Sequence, residues 1–281
     1  MSIYQVSYQT TNSYEHLVKE ALFSLLVLPV ADDCQSFVSY SVDCNLQRQH
    51  YLQPNLYGFD QLMFRVDHSF DQLSIIVNST VEVAEINPFD FEKQSLTDEN
   101  AMMESLDFKV TYQPFLFQSQ STRINLSRLS PEMTKSVSVK CVDFLQFLNA
   151  YIYKNFKFDD DVNSLLNTPK STWEKKQGVC QDFAQFFIAV CRANNIPARY
   201  VSGYLNQGEG HIGSAMLHAW VEVFIPGLGW QGYDPTNNLL RDSHYIKVCH
   251  GVDYEDCSPI KGILNTQGDN FTEYKVEVTQ Q

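Results

Sequence analysis

Residues 180–193 read CQDFAQFFIAVCRA, a stretch that is apolar on almost every side of a helix. Phe183, Ala184, Phe186, Phe187, Ile188, Val190 and Cys191 leave no broad polar face, so this helix has to be wrapped by other elements. Gly178 precedes it, and Asn194-Asn195 with Pro197 stop it. The runs after it are strand-like: Arg199 to Leu205, His218 to Ile225, Gly229 to Tyr233 and finally Tyr274 to Val278. A buried helix packed on an antiparallel sheet is an α+β arrangement.

The first third is expected to be β-rich. Tyr4, Val6 and Tyr8 alternate onto one face, and Phe37 to Val42, Leu62 to Val66 and Leu73 to Val83 carry branched and aromatic residues between turn signals such as Asn55-Leu56-Tyr57-Gly58. Short strands without intervening helices suggest a sandwich or curled sheet. The 281 residues suit two domains. We expect a β-rich unit over 1–120 and a helix-containing unit over 121–281. The polar stretch Gln118 to Thr122 marks the seam. Ser130-Pro131-Glu132 reads as a helix start, with an apolar face running to about Asn155.

Charge narrows the partners. Lys and Arg total 20 against 33 Asp and Glu, a formal charge of −13 spread along the chain. Such a surface repels phosphate backbones, so nucleic acid and anionic membrane are not expected as partners. The first residues show no basic stretch leading into an apolar run, and the apolar run from Ala21 to Ala31 is too short to span a bilayer. The seven cysteines are odd in number and contain no CxxC pair. These features lead to the expectation of a cytoplasmic, reducing location, with no metal and no cofactor.

One thiol stands apart. Cys180 opens the buried helix, where unpaired backbone N–H groups carry partial positive charge. They favour a thiolate, and they offer donors to the oxyanion of a tetrahedral intermediate. A single cysteine needs a base near it in space. His218 opens the strand HAWVEVFI, with Trp220, Glu222 and Phe224 on its face. Pro226-Gly227-Leu228-Gly229 is a turn, and Asp234 ends the returning strand. If His218 faces Asp234 across this hairpin, then Glu222 faces Trp230, and the facing residues share a side of the sheet. Cys180, His218 and Asp234 are therefore the candidate catalytic residues: nucleophile, base and orienting carboxylate.

Three blocks carry a resemblance. GVCQDFAQFFIAVCRANNIPARYVSGYL from Gly178, LHAWVEVFIPGLGWQGYDPTNN from Leu217 and GVDYEDCSPIKGI from Gly251 resemble the transglutaminase-like superfamily. The whole chain looks like its bacterial members with an N-terminal β domain. That resemblance implies a papain/transglutaminase-like catalytic core, with the family's Cys, His and Asp falling on Cys180, His218 and Asp234. It implies a cysteine protease or amidase acting on a peptide or protein substrate. The alternatives are acyl transfer to an amine, as in cross-linking transglutaminases, and a non-catalytic scaffolding role. Gln185 and Leu217 depart from residues common in the group, His and Ser. Trp173 and Gln181 are candidates, on residue type, for a second oxyanion donor. Asp159-Asp160-Asp161 lacks the spacing of an EF-hand loop and reads as a solvated loop.

Overall fold

A computed structural model describes residues 1–46, 49–88, 94–159, 167–206, 211–213 and 216–281. Asp160 and Asp161 of the acidic triplet lie outside these residues. The first third supplies β1 (Ser2–Val18), β2 (Ala21–Leu25), β3 (Gln35–Cys44), β4 (Tyr51–Pro54), β5 (Asp60–Val66) and β6 (Phe70–Val83). Three short helices come next, α1 (Leu96–Glu104), α2 (Leu106–Thr111) and α3 (Gln113–Leu116). Then come α4 (Cys141–Asn155), β7 (Lys157–Phe158), α5 (Pro169–Lys175), β8 (Gln177–Gly178) and α6 (Cys180–Ala193). The remaining strands are β9 (Ala198–Leu205), β10 (His218–Ile225), β11 (Gly229–Asp234), β12 (Leu239–Leu240), β13 (Tyr245–Gly251), β14 (Ile260–Leu264) and β15 (Asn270–Gln280).

The fold is a mixed, sheet-rich α+β arrangement. Two four-stranded sheets, in the orders β15-β1-β6-β3 and β14-β2-β5-β4, form the β-rich part. Alternation places Tyr4, Val6 and Tyr8 on the buried side of β1, as the sequence pattern requires. The last strands return to these sheets. β15 pairs with β1 from Tyr4↔Gln280 to Tyr14↔Asn270, and β14 pairs with β2. The β-rich part is therefore built from both ends of the chain.

A five-stranded antiparallel sheet, β12-β11-β10-β9-β13, carries α6 against β9 and β10. Every residue of α6 from Asp182 to Arg192 is buried, which is the wrapping its composition demands. Arg192, near its end, donates to the carbonyls of Phe115, Phe117, Ala198 and Val252 and to Thr122 Oγ1. One guanidinium thus pins the segment after α3 to the helix and the sheet. The stretch from Gln118 to Thr122 is held firmly at this point, with Thr122 fully buried.

Two local expectations are corrected. Pro131–Met133 forms a single 3₁₀ turn, and α4 begins only at Cys141. Ser136 Oγ accepts from the Ser138 N–H, so a side chain competes with the helical ladder there. The start of α4 is capped from outside, by buried Glu99 Oε1 accepting the Cys141 N–H at 2.8 Å. In the β10–β11 hairpin, Phe224 faces Trp230 and Glu222 faces Gly232, a register two residues from the expected one. Ile225 pairs with Gly229, so the connection is Pro226-Gly227-Leu228, and Leu228 N–H bonds back to the Ile225 carbonyl. Pro at the second turn position and Gly227 at φ +80° in the third make a type II turn. A shift of two preserves the side of every residue, because strand side chains alternate with period two.

Candidate active site

Cys180 is the first residue of α6 and is buried. Val179 precedes the helix in an extended conformation, and Asp182 Oδ2 reaches back to accept the Val179 N–H at 2.9 Å. That carboxylate closes the helix start and also accepts from Asn167 Nδ2. Burial pushes the Asp182 pKa up to about 6 in spite of both donors. Gly178 has to be small here, since a Cβ would stand 2.5 Å from Asp182 Oδ2.

His218, on β10, is wholly buried, and its Nε2 lies 2.8 Å from Asp234 Oδ2. In the observed ladder Asp234 is the diagonal neighbour of His218 rather than its opposite, on the same side of the sheet and within reach of an imidazole. Burial alone would lower the His218 pKa. The Asp234 charge and the hydrogen bond to it, with a smaller contribution from the nearby Cys180 thiol, reverse this and raise it. With Nε2 committed to Asp234, Nδ1 is the ring nitrogen left for the thiol, and among the described residues it has no hydrogen-bond partner. The structure thus brings all three candidate residues together.

Asp234 is the most heavily bonded of the three. Oδ2 receives His218, Tyr245 Oη at 2.8 Å and Asn237 Nδ2 at 2.9 Å, while Oδ1 receives the Thr236 and Asn237 N–H groups. Burial would raise the carboxyl pKa, but the His218 charge and these bonds hold it low. Burial and the facing Asp234 charge push the Tyr245 phenol far up, so it stays a donor. Trp220 stacks on the His218 ring with centroids 6.4 Å apart, and Tyr245 packs edge-on against Trp220.

Sequence reasoning does not single out Tyr245, Asn237 or Trp220 for this site. Trp220 shares the His218 face by alternation, and Asn237 lies two residues past Pro235 in the turn after Asp234, so both signals are present but unspecific. Tyr245 comes from β13, on the far side of β9, and only the sheet order brings it close. Trp173 stacks on Phe186 with rings 5.6 Å apart, which gives it a packing role. Among the described residues no group of three His, Cys, Asp or Glu forms a metal-binding cluster, and no helix is long and apolar enough to cross a membrane. All seven thiols are free.

The site thus sets a helix start bearing Cys180 beside a histidine held by a buried aspartate, against an antiparallel sheet. Residues 127–235 match the model described as "Transglutaminase-like superfamily", so this stretch is a transglutaminase-like domain. It is 34% identical over 171 residues to an uncharacterized protein of Mycobacterium tuberculosis, covering 54% of each chain. It is 37% identical over 76 residues to a protein-glutamine gamma-glutamyltransferase of Pseudomonas aeruginosa, covering 25% of this chain and 11% of that one. The chain spans about half the length of the mycobacterial relative. A solved structure from Cytophaga hutchinsonii, described as a "Putative Cysteine Protease", superposes with a TM-score of 0.76 at 20% identity. It covers 99% of this chain and 90% of that one, and the likeness is one of fold.

Proposed function

We propose that this chain is a cysteine-nucleophile enzyme that cleaves peptide or side-chain amides through a thioester acyl-enzyme. One observation carries the reading: buried Cys180 at a helix start lies beside His218, whose Nε2 is held 2.8 Å from Asp234. His218 takes the thiol proton, and the sulfur attacks the substrate carbonyl carbon. The oxyanion forms at the start of α6, where backbone N–H groups are unpaired. The imidazolium gives its proton to the leaving nitrogen, the C–N bond breaks and the thioester remains. Water then attacks as His218 takes its proton. The tetrahedral intermediate expels the sulfur, which regains the proton, and a carboxylic acid is released. Asp234 holds the ring with Nε2 protonated throughout.

The test is alkylation and then turnover. Cys180 should react with iodoacetamide at pH 6 faster than the other six thiols, and His218→Ala should remove that excess. A peptide library read by mass spectrometry should then show a cut bond that Cys180→Ala does not produce. Uniform slow labelling of all thiols sinks the reading. A labelled amine appearing on a glutamine donor would reassign the second step from water to an amine.

A further inference from the structure

Asn237 lies just beyond the region matched to the family, and its side chain faces two ways. Its Nδ2 donates to Asp234 Oδ2 at 2.9 Å, the oxygen that holds His218. The same amide grips one residue of the loop before β10: Oδ1 accepts the Ile212 N–H at 2.9 Å, and Nδ2 donates to the Ile212 carbonyl at 2.9 Å. The next residue, Gly213, is buried at φ +106° against the imidazole. A Cβ there would stand 2.5 Å from His218 Nδ1 and 2.6 Å from Cγ. The Gly213 backbone therefore lies against the ring edge that carries the nitrogen left for the thiol. Both constraints on the ring, the carboxylate at Nε2 and the glycine at Nδ1, run through one side chain.

We infer that Asn237 is a positioning residue that locks the His218 imidazole from both edges, tying Asp234 to the Ile212-Gly213 backbone. Its side-chain bonds run to Asp234 and to Ile212, so it acts through Asp234 and the adjoining Gly213. The titratable groups facing His218 are Asp234 on β11 and Cys180 on α6, with Tyr245 of β13 on the far side of Asp234. Only an amide serves at 237, because the position has to donate to a carboxylate and a carbonyl while accepting from an N–H. Tyr245 donates to the same carboxylate oxygen but, among the described residues, has no hydrogen bond to Ile212 or Gly213, which makes it the natural comparison.

This inference rests on the proposed acyl-enzyme reading only for its first readout, the pH profile of Cys180 alkylation by iodoacetamide. At pH 6, where reaction depends on a well-placed imidazole, Asn237→Ala should lose about tenfold, the scale on which an orienting partner acts. At pH 9.5, where a thiol ionises unaided, it should fall within about twofold of the native rate. Tyr245→Phe should lose less at pH 6, because the grip on Ile212 remains. Asn237→Asp should lose at least as much as Asn237→Ala, since it adds a like charge beside Asp234. The second readout is the Nε2-bound proton of His218 by NMR, which should exchange slowly in the native protein and be lost to fast exchange in Asn237→Ala. If native Cys180 shows no excess reactivity but this proton behaves as stated, the acyl-enzyme reading falls and the positioning role stands. A native pH profile in Asn237→Ala, equal losses at pH 6 and 9.5, or a Tyr245→Phe loss as large as that of Asn237→Ala would overturn the inference.

Discussion

The Tyr245 hydroxyl donates, at 2.8 Å, to the same Asp234 oxygen that His218 Nε2 reaches. With Asn237 Nδ2 this makes three donors on one buried oxygen. A carboxylate bonded in this way has little freedom to rotate, and its charge faces the imidazole in a fixed direction.

Replacing Asp234 with Asn should therefore change how His218 titrates. Burial acts to lower the imidazole pKa, and the carboxylate is what overcomes it. In Asp234→Asn the ring should be neutral at pH 7, as an NMR titration of His218 would show. The folded pKa is raised from 6.5 to about 10, so the stability it contributes is complete below about 6.5 and is lost as pH rises through about 10. The melting temperature of the native protein should fall more steeply between pH 7 and 10 than that of Asp234→Asn.

Asp182 gives the opposite kind of variant, one that relieves a cost. Its folded pKa of about 6 stands above the ordinary 3.8, so the folded state holds the extra proton between these values and stability declines as pH rises through them. Asp182→Asn keeps an oxygen for the Val179 N–H without a buried charge. Denaturant unfolding should show it more stable than the native protein at pH 7 by about 2 kcal/mol, with a flatter profile between pH 4 and 6.

Glu222 is surrounded by cations. Lys247 Nζ and Arg199 Nη2 each lie 2.6 Å from its Oε2, and Arg241 Nη1 lies 3.5 Å from Oε1. Burial would raise this carboxyl pKa, but the three cations hold it far below the usual range. Glu222→Gln leaves those cations without their common counter-charge in a buried place. It should cost about 3–5 kcal/mol in urea unfolding, well beyond an exposed ion pair. A cost under about 1 kcal/mol, the scale of an exposed pair, would mean the cluster contributes little.

Gly203 lies under the indole that supports His218. A Cβ there would come within 2.5 Å of the Trp220 ring and closer still to the Ile246 carbonyl. Backbone on one side leaves Trp220 as the group that has to move. Gly203→Ala should destabilise the protein by about 1–3 kcal/mol and disturb the ring stacked on His218. The fall in Cys180 alkylation at pH 6 should then exceed that of a comparable overpacked core variant distant from the site.

Much of this architecture can be read from local pattern. Helix α6 comes from its composition and stop residues, and strand β10 spans the run His218–Ile225 as the alternation predicts. The hairpin register is harder to read. Parity places His218 and Asp234 on one side of the sheet, but the turn chemistry of Pro226 and Gly227 sets the pairing two residues away. The start of α4 is hidden for a related reason. Ser-Pro-Glu is a good cap only if the residues after it continue the helix, and Ser136 and Ser138 bond to each other instead.

Sequence by itself determined the candidate set. A cysteine at the start of an apolar helix, a histidine opening a strand and an aspartate closing the next are local facts, fixed by residue type and spacing. Tertiary structure decided what surrounds them. Tyr245 reaches Asp234 through the order of strands, Asn237 binds a loop 25 residues earlier, and β15 closes the sheet that β1 began. Short-range periodicity encodes which side a residue faces. The partner it meets there depends on chain closure over distances that no local pattern records.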